Sequence, residues 1–124
     1  MAERIGRISD WFWEIVNESD QDENKLREIL TGMDKNDIYR FQDFFVEAAV
    51  ELRYEPFTNF TESSEDGIED ISNWVVSQGK AYYAEILKHP ERIPYSVEDR
   101  TNESIAHVAD EVYFDKYGET TGIY

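Results

Sequence analysis

The sequence contains no cysteine, which removes disulfide staples, thiolate nucleophiles and zinc–sulfur sites together. Basic residues are scarce: 12 Lys and Arg stand against 28 Asp and Glu, a formal charge of −16. A field of that sign repels nucleic acid and anionic membrane and attracts basic surfaces, so direct DNA or RNA binding is disfavoured. No apolar run approaches the ~20 residues needed to span a bilayer. The opening MAERIGRISDWFWEIV lacks the uninterrupted apolar core and small-residue cleavage site of a secretory signal, so a cytoplasmic location is expected. On that expectation the N-x-Ser/Thr matches at Asn17, Asn59 and Asn102 carry little weight. Gly-rich phosphate loops, G-x-S-x-G, H-E-x-x-H and EF-hand spacing are all missing. No catalytic residue, metal site or cofactor is therefore assigned.

Aromatic side chains are plentiful. They make up 15% of the 124 residues, within a hydrophobic fraction of 40%. Each Trp, Phe or Tyr buries about 150–250 Å², enough to build a core without many leucines. The length suits one domain, here residues 1–124, and a packed one despite the charge.

The expected architecture is all-α: a single helical bundle of five to six helices around a central bent helix at residues 66–88. Ile68, Ile71, Val75, Gln78, Tyr82 and Ile86 follow at steps of three or four, one side of a helix. The phase survives Gly79, so one bent helix or two nearly collinear ones both fit. Ahead of this stretch, Ile5, Ile8, Phe12 and Ile15 form a first stripe flanked by Trp11 and Trp13, with Ser9 or Asp10 able to cap a shorter helix. Leu26, Ile29, Leu30 and Met33 give a second helix after Asp20 or Asp22, with Gly32 suited to a left-handed C-cap. Asp34 caps a third, KNDIYRFQDFFVEAAVELRY, whose stripe is Ile38, Phe41, Phe45, Ala48 and Leu52, widened by Phe44 and Ala49, and which Pro56 stops.

Residues 55–66 read as an irregular piece with Phe57 and Phe60 as tethers, and 89–102 as a turn-rich connector held by Ile93 and Tyr95. Thr101 or Asn102 begins the last helix, which buries Ile105, Val108 and Val112, widened by Ala109 and Tyr113, and which Gly118 ends. The tail is expected to be loosely held, with Ile123 and Tyr124 able to dock.

The central segment SSEDGIEDISNWVVSQGKAYYAEILKHPE resembles the signature of the bacterial domain of unknown function 4240 (DUF 4240). The matching residues are an acidic turn (Ser64, Glu65, Asp66), then Ile68, the helix run Trp74, Val75, Val76 and Gly79, and the ending Tyr83, Leu87 and Pro90. Phe12 to Val16 resembles the opening F-W-x-[LI]-[IV] motif of that family, and Leu26 to Phe45 fits in character. Ile71-Ser72 departs from the Phe-Arg often found before the tryptophan. The resemblance implies a mostly helical domain and transfers no activity.

Two features point towards function. Between Arg53 and Lys80 there is no basic residue, while Glu62, Glu65, Asp66, Glu69 and Asp70 cluster there. Part of this is ordinary helix physics, since acids suit a first helical turn. The leading expectation is a protein-binding module, one version being an immunity or inhibitor protein, that offers these acids to a basic protein partner, with Trp74 or Tyr82 as adjacent aromatic contacts. The same charge argues for a monomer and against membrane binding.

The alternative is a ligand-binding or enzymatic pocket between the central helix and Trp11–Trp13, with Gln78, Tyr82 and Tyr83 as its polar groups. Glu103, His107 and Glu111 at i, i+4 and i+8 share a helix face, but one His without a ligand motif favours a solvated face over a metal edge. His89, at a helix end, suits a capping or surface role.

Overall fold

Most helices start where a short polar side chain closes their free N–H groups. The computed structural model describes residues 8–97 and 104–123, and within them six α-helices. These are α1 (Asp10–Ser19), α2 (Glu23–Thr31), α3 (Lys35–Val50), α4 (Glu65–Ser77), α5 (Lys80–Lys88) and α6 (Val108–Tyr117). Two 3-10 turns, Phe57–Phe60 and Pro90–Arg92, complete the ordered elements, and no strand occurs among the described residues. Ser9 Oγ accepts from Trp11 N (3.2 Å), Asp22 Oδ1 from Asn24 N (2.9 Å), Asp34 Oδ1 from Asp37 N (2.9 Å) and Ser64 Oγ from Gly67 N (3.0 Å). Ile5, Thr101, Asn102, Glu103 and Tyr124, named above, lie outside the described residues.

The helices pack as a ring. Helix α1 lies against α2, α2 against α6, α6 against α3, α3 against α4, α4 against α5, and α5 returns to α1. A further contact, α1 on α3, crosses the middle. There Phe12 packs on Phe41 (4.9 Å between ring centroids) and Phe45 (6.1 Å), and Trp13 on Tyr83 (5.1 Å). All five rings are buried. The residues of the stripe predicted for α3, Ile38, Phe41, Phe45, Ala48 and Leu52, are essentially inaccessible, but the helix ends at Val50, before Pro56 could stop it, and Leu52 lies in the turn that follows. The aromatic anchor at residues 11–13 thus sits at the centre of the bundle, shared with α3.

Residues 66–88 form two helices, not one bent helix, so of the two arrangements open to the sequence the broken one is found. Gly79 has φ 105° and ψ 174°, a conformation that ends α4 and restarts the chain as α5. The break shifts the buried phase. Helix α4 buries Ile71, Trp74, Val75 and Val76, whereas α5 buries Tyr83, Ile86 and Leu87. Gln78 and Tyr82, placed on the stripe by unbroken periodicity, are half-buried instead.

Three further differences have local causes. Gly32 is not left-handed (φ −78°); Lys116 Nζ donates to Thr31 O (2.9 Å) and Met33 O (2.8 Å), so a cation from α6 closes the end of α2. The left-handed turn comes earlier, at Asp20 and Gln21. The tail is pinned: Thr121 donates through N (3.0 Å) and Oγ1 (2.8 Å) to Asp110 Oδ1, and Gln42 Nε2 donates to Ile123 O (3.0 Å). Gly118 ends α6 at φ 72°, as its sequence context indicates.

Candidate functional site

The acidic cluster occupies the start of α4 and the loop before it. Glu65 and Asp66 lie in the first turn, where carboxylates face the positive end of the helix dipole. Glu69 and Asp70 follow one turn on. These four are exposed and Glu62 is half-buried. Ser64 Oγ donates to Glu62 Oε1 (2.8 Å), which folds the Glu62 carboxylate back over Gly67. A Cβ on Gly67 would meet that carboxylate, so the glycine leaves room for the Glu62 side chain to fold back. Glu62 N donates to Tyr95 O (2.9 Å), tying this loop to the segment after α5. Between them lies a shallow hollow of about 150 Å³, lined by Glu62, Ser64, Asp66, Asp70, Ser96 and Val97.

None of these five carboxylates pairs with a described Lys, Arg or His. The basic residue nearest in sequence turns elsewhere: Arg53 donates through Nε to Ser72 Oγ (2.9 Å) and through Nη2 to Asn73 Oδ1 (3.3 Å). Some acids elsewhere are paired. Glu111 accepts from Arg27 Nη2 (2.7 Å), Glu119 pairs with Lys35 (2.7 Å) and Asp10 with Lys80 (3.0 Å). The hydrogen bond that Arg27 donates to Glu111 is the main reason the Arg27 pKa is raised. Hydrogen bonding between Lys35 and Glu119 raises the lysine and lowers the carboxyl. Among the described residues, the five carboxylates of this face therefore have no cationic partner.

Of the aromatic and polar residues expected beside the acids, most are occupied inside the fold. Trp13 and Tyr83 are core residues, and Tyr83 Oη donates to Ala48 O (2.8 Å). Their rings meet between α5 and α1, where the sequence suggested a pocket. Trp74 is only 8% exposed and meets half-buried Tyr82 edge-on at 5.6 Å. Gln78 Oε1 accepts from Gln21 Nε2 (2.6 Å), and its own Nε2 donates to Trp74 O (3.0 Å). Trp11 lies half-buried under Arg40, 4.8 Å from ring centroid to guanidinium carbon. The exposed rings on the acidic side are instead Phe60 (42%) and Tyr95 (68%), carried by the loops that flank Glu62. Sequence reasoning took both for tethers; in each loop the partner residue, Phe57 or Ile93, is the one buried.

A larger groove, about 330 Å³, runs between α3, α4 and α6. Phe45, Val46 and Ala106 supply its apolar wall; Glu69 and Asp110 stand among its polar residues. Gln42 also lines it and is 5% exposed, and its Oε1 has no hydrogen-bond partner among the described residues. No periodicity could flag this groove, because it is made by three helices distant in sequence.

The face carrying His107 and Glu111 is not purely solvated. His107 Nε2 lies 2.9 Å from Glu23 Oε2 and 3.9 Å from Glu111 Oε2, which makes it part of the seam between α2 and α6. Among the described residues no group of three His, Cys, Asp or Glu is placed to hold a metal ion. No described helix is long and apolar enough to cross a membrane. His89 closes α5, its N–H donating to Glu85 O (2.8 Å).

A family model described as "Protein of unknown function (DUF4240)" matches residues 8–115. No curated protein and no solved structure matches the chain.

Proposed function

From the premise that the chain belongs to the DUF4240 family, which is described without an activity, we propose that it is a protein-binding module for a basic partner. The observation that carries this reading is the acidic face formed by Glu62, Glu65, Asp66, Glu69 and Asp70, none of them paired with a described cation, with Phe60 and Tyr95 exposed beside it. Complementary charge speeds encounter and fixes orientation, while aromatic side chains at the edge of the patch supply contact area. An inhibitor or immunity protein that covers the basic cleft of a nucleic-acid-processing enzyme is one form of such a module. The acidic field also argues for a monomer that does not bind nucleic acid itself, and for a cytoplasmic setting.

A cationic polypeptide tests the reading against its dull rival, non-specific attraction to net charge. Poly-L-lysine binding is compared between the wild type, E65Q/D66N/E69Q/D70N, and a control neutralised elsewhere by E14Q/E18Q/E28Q/D43N. Both variants remove four charges. Affinity is expected to fall at least tenfold more for the first than for the second. Equal losses would assign the binding to overall charge and remove the face as a recognition surface.

A further inference from the structure

The groove between α3, α4 and α6 has a chemistry separate from the exposed cluster, although Glu69 borders both. Gln42 lines it, its Nε2 held by Ile123 O (3.0 Å) while its Oε1 is buried without a partner among the described residues. A buried acceptor left unmade is costly, and a donor brought by a ligand removes that cost. Asp110 uses Oδ1 to hold Thr121, leaving its second carboxylate oxygen for other donors. Phe45, Val46 and Ala106 offer apolar surface that suits a methylene stem.

We propose that this groove receives a lysine side chain of the basic partner, its ammonium donating to Gln42 Oε1 and to the carboxylates of Asp110 and Glu69. The proposal rests on the protein-binding reading and specifies what the partner inserts. Lysine fits better than arginine. A guanidinium favours a carboxylate with both oxygens presented as a fork, and Asp110 Oδ1 is already engaged. An ammonium is a point charge with three donors that can be shared between a neutral amide oxygen and separate carboxylates. Arg53 in the wall is held by Ser72 and Asn73, and the two carboxylates Glu69 and Asp110 outnumber its single charge.

The test is a titration of the ¹⁵N-labelled full chain with Nα-acetyl-lysine N-methylamide, its Nε-acetylated form and the norleucine analogue. Saturable shifts at the Gln42 side-chain amide, Asn73 and Ala106 are expected with the lysine compound, at least tenfold weaker with the other two. Equal shifts with all three, or non-saturating shifts spread over the exposed acids, would overturn the proposal. Val46→Phe, which fills the groove, is expected to abolish the lysine response while circular dichroism stays helical. A folded V46F that still binds lysine there would also overturn it.

A separate variant, E65Q/D66N/D70N, leaves the groove lining intact and distinguishes the two ideas. Loss of the polylysine preference in that variant, with no lysine response in the groove, keeps the face and removes the groove. A saturable groove response in a protein whose polylysine binding ignores the face does the reverse.

Discussion

Gly79 shows how one residue decides the path of the chain. Its φ of 105° is open to glycine and strained for other residues, and a Cβ there would come within 2.5 Å of Asn17 Oδ1. Gly79→Ala is therefore expected to lower the unfolding free energy by about 1–3 kcal/mol, measured by urea denaturation. A neutral result would mean that the break tolerates a side chain. The acidity response of Glu119 belongs at the same scale. Its pKa is lowered by the Lys35 hydrogen bond, so this contact contributes above the unfolded-state carboxyl pKa and is lost as pH falls through the folded value. NMR titration should show Glu119 releasing Lys35 at a lower pH than an ordinary glutamate would, and Lys35→Met should return the Glu119 midpoint to the usual range. Residue identity made both glycine ends visible, but not which conformation each takes: Gly32 and Gly118 look alike in sequence, and Lys116 makes the left-handed cap unnecessary at the first.

At the scale of elements, helices with intact periodicity were legible and broken ones were not. Helix α3 has a single uninterrupted stripe, capped by Asp34, and the sequence names its buried apolar residues, missing buried Gln42 and taking half-buried Phe44 as part of the stripe. Across α4 and α5 the same reasoning is right for Ile71, Val75 and Ile86 but wrong for Gln78 and Tyr82, which flank Gly79, because a non-helical residue resets the angle between successive side chains. The acidic face was legible as a run without Lys or Arg. Its aromatic neighbours were not, since which ring of a loop turns inward depends on loops meeting through Glu62 N and Tyr95 O. Two substitutions test these elements. Ser64→Ala removes the cap of α4 and the support of Glu62, with an expected loss of about 1 kcal/mol by thermal or chemical denaturation. Lys116→Met removes the cation from the end of α2, costing about 0.3–1 kcal/mol at low salt and less at high salt, as screening predicts for a helix-end charge.

At the scale of the whole molecule, the ring of helices closes around Phe12, Trp13, Phe41, Phe45 and Tyr83, and the charges lie outside it. A net −16 opposes its own compactness. Raising salt from about 0.01 M to about 0.15 M shortens the screening length from about 30 Å to about 8 Å. The midpoint of thermal unfolding should therefore rise over that interval, while binding of a basic partner should weaken. Opposite responses of stability and binding are expected from one cause.

The most direct measurement is a pull-down from native lysate at low and moderate salt, with the wild type beside E65Q/D66N/E69Q/D70N. A basic protein held by the wild type, released as salt rises and absent from the variant is the predicted result. Identical partner lists for the two proteins would contradict the account, reducing the acidic face to a solubilising surface.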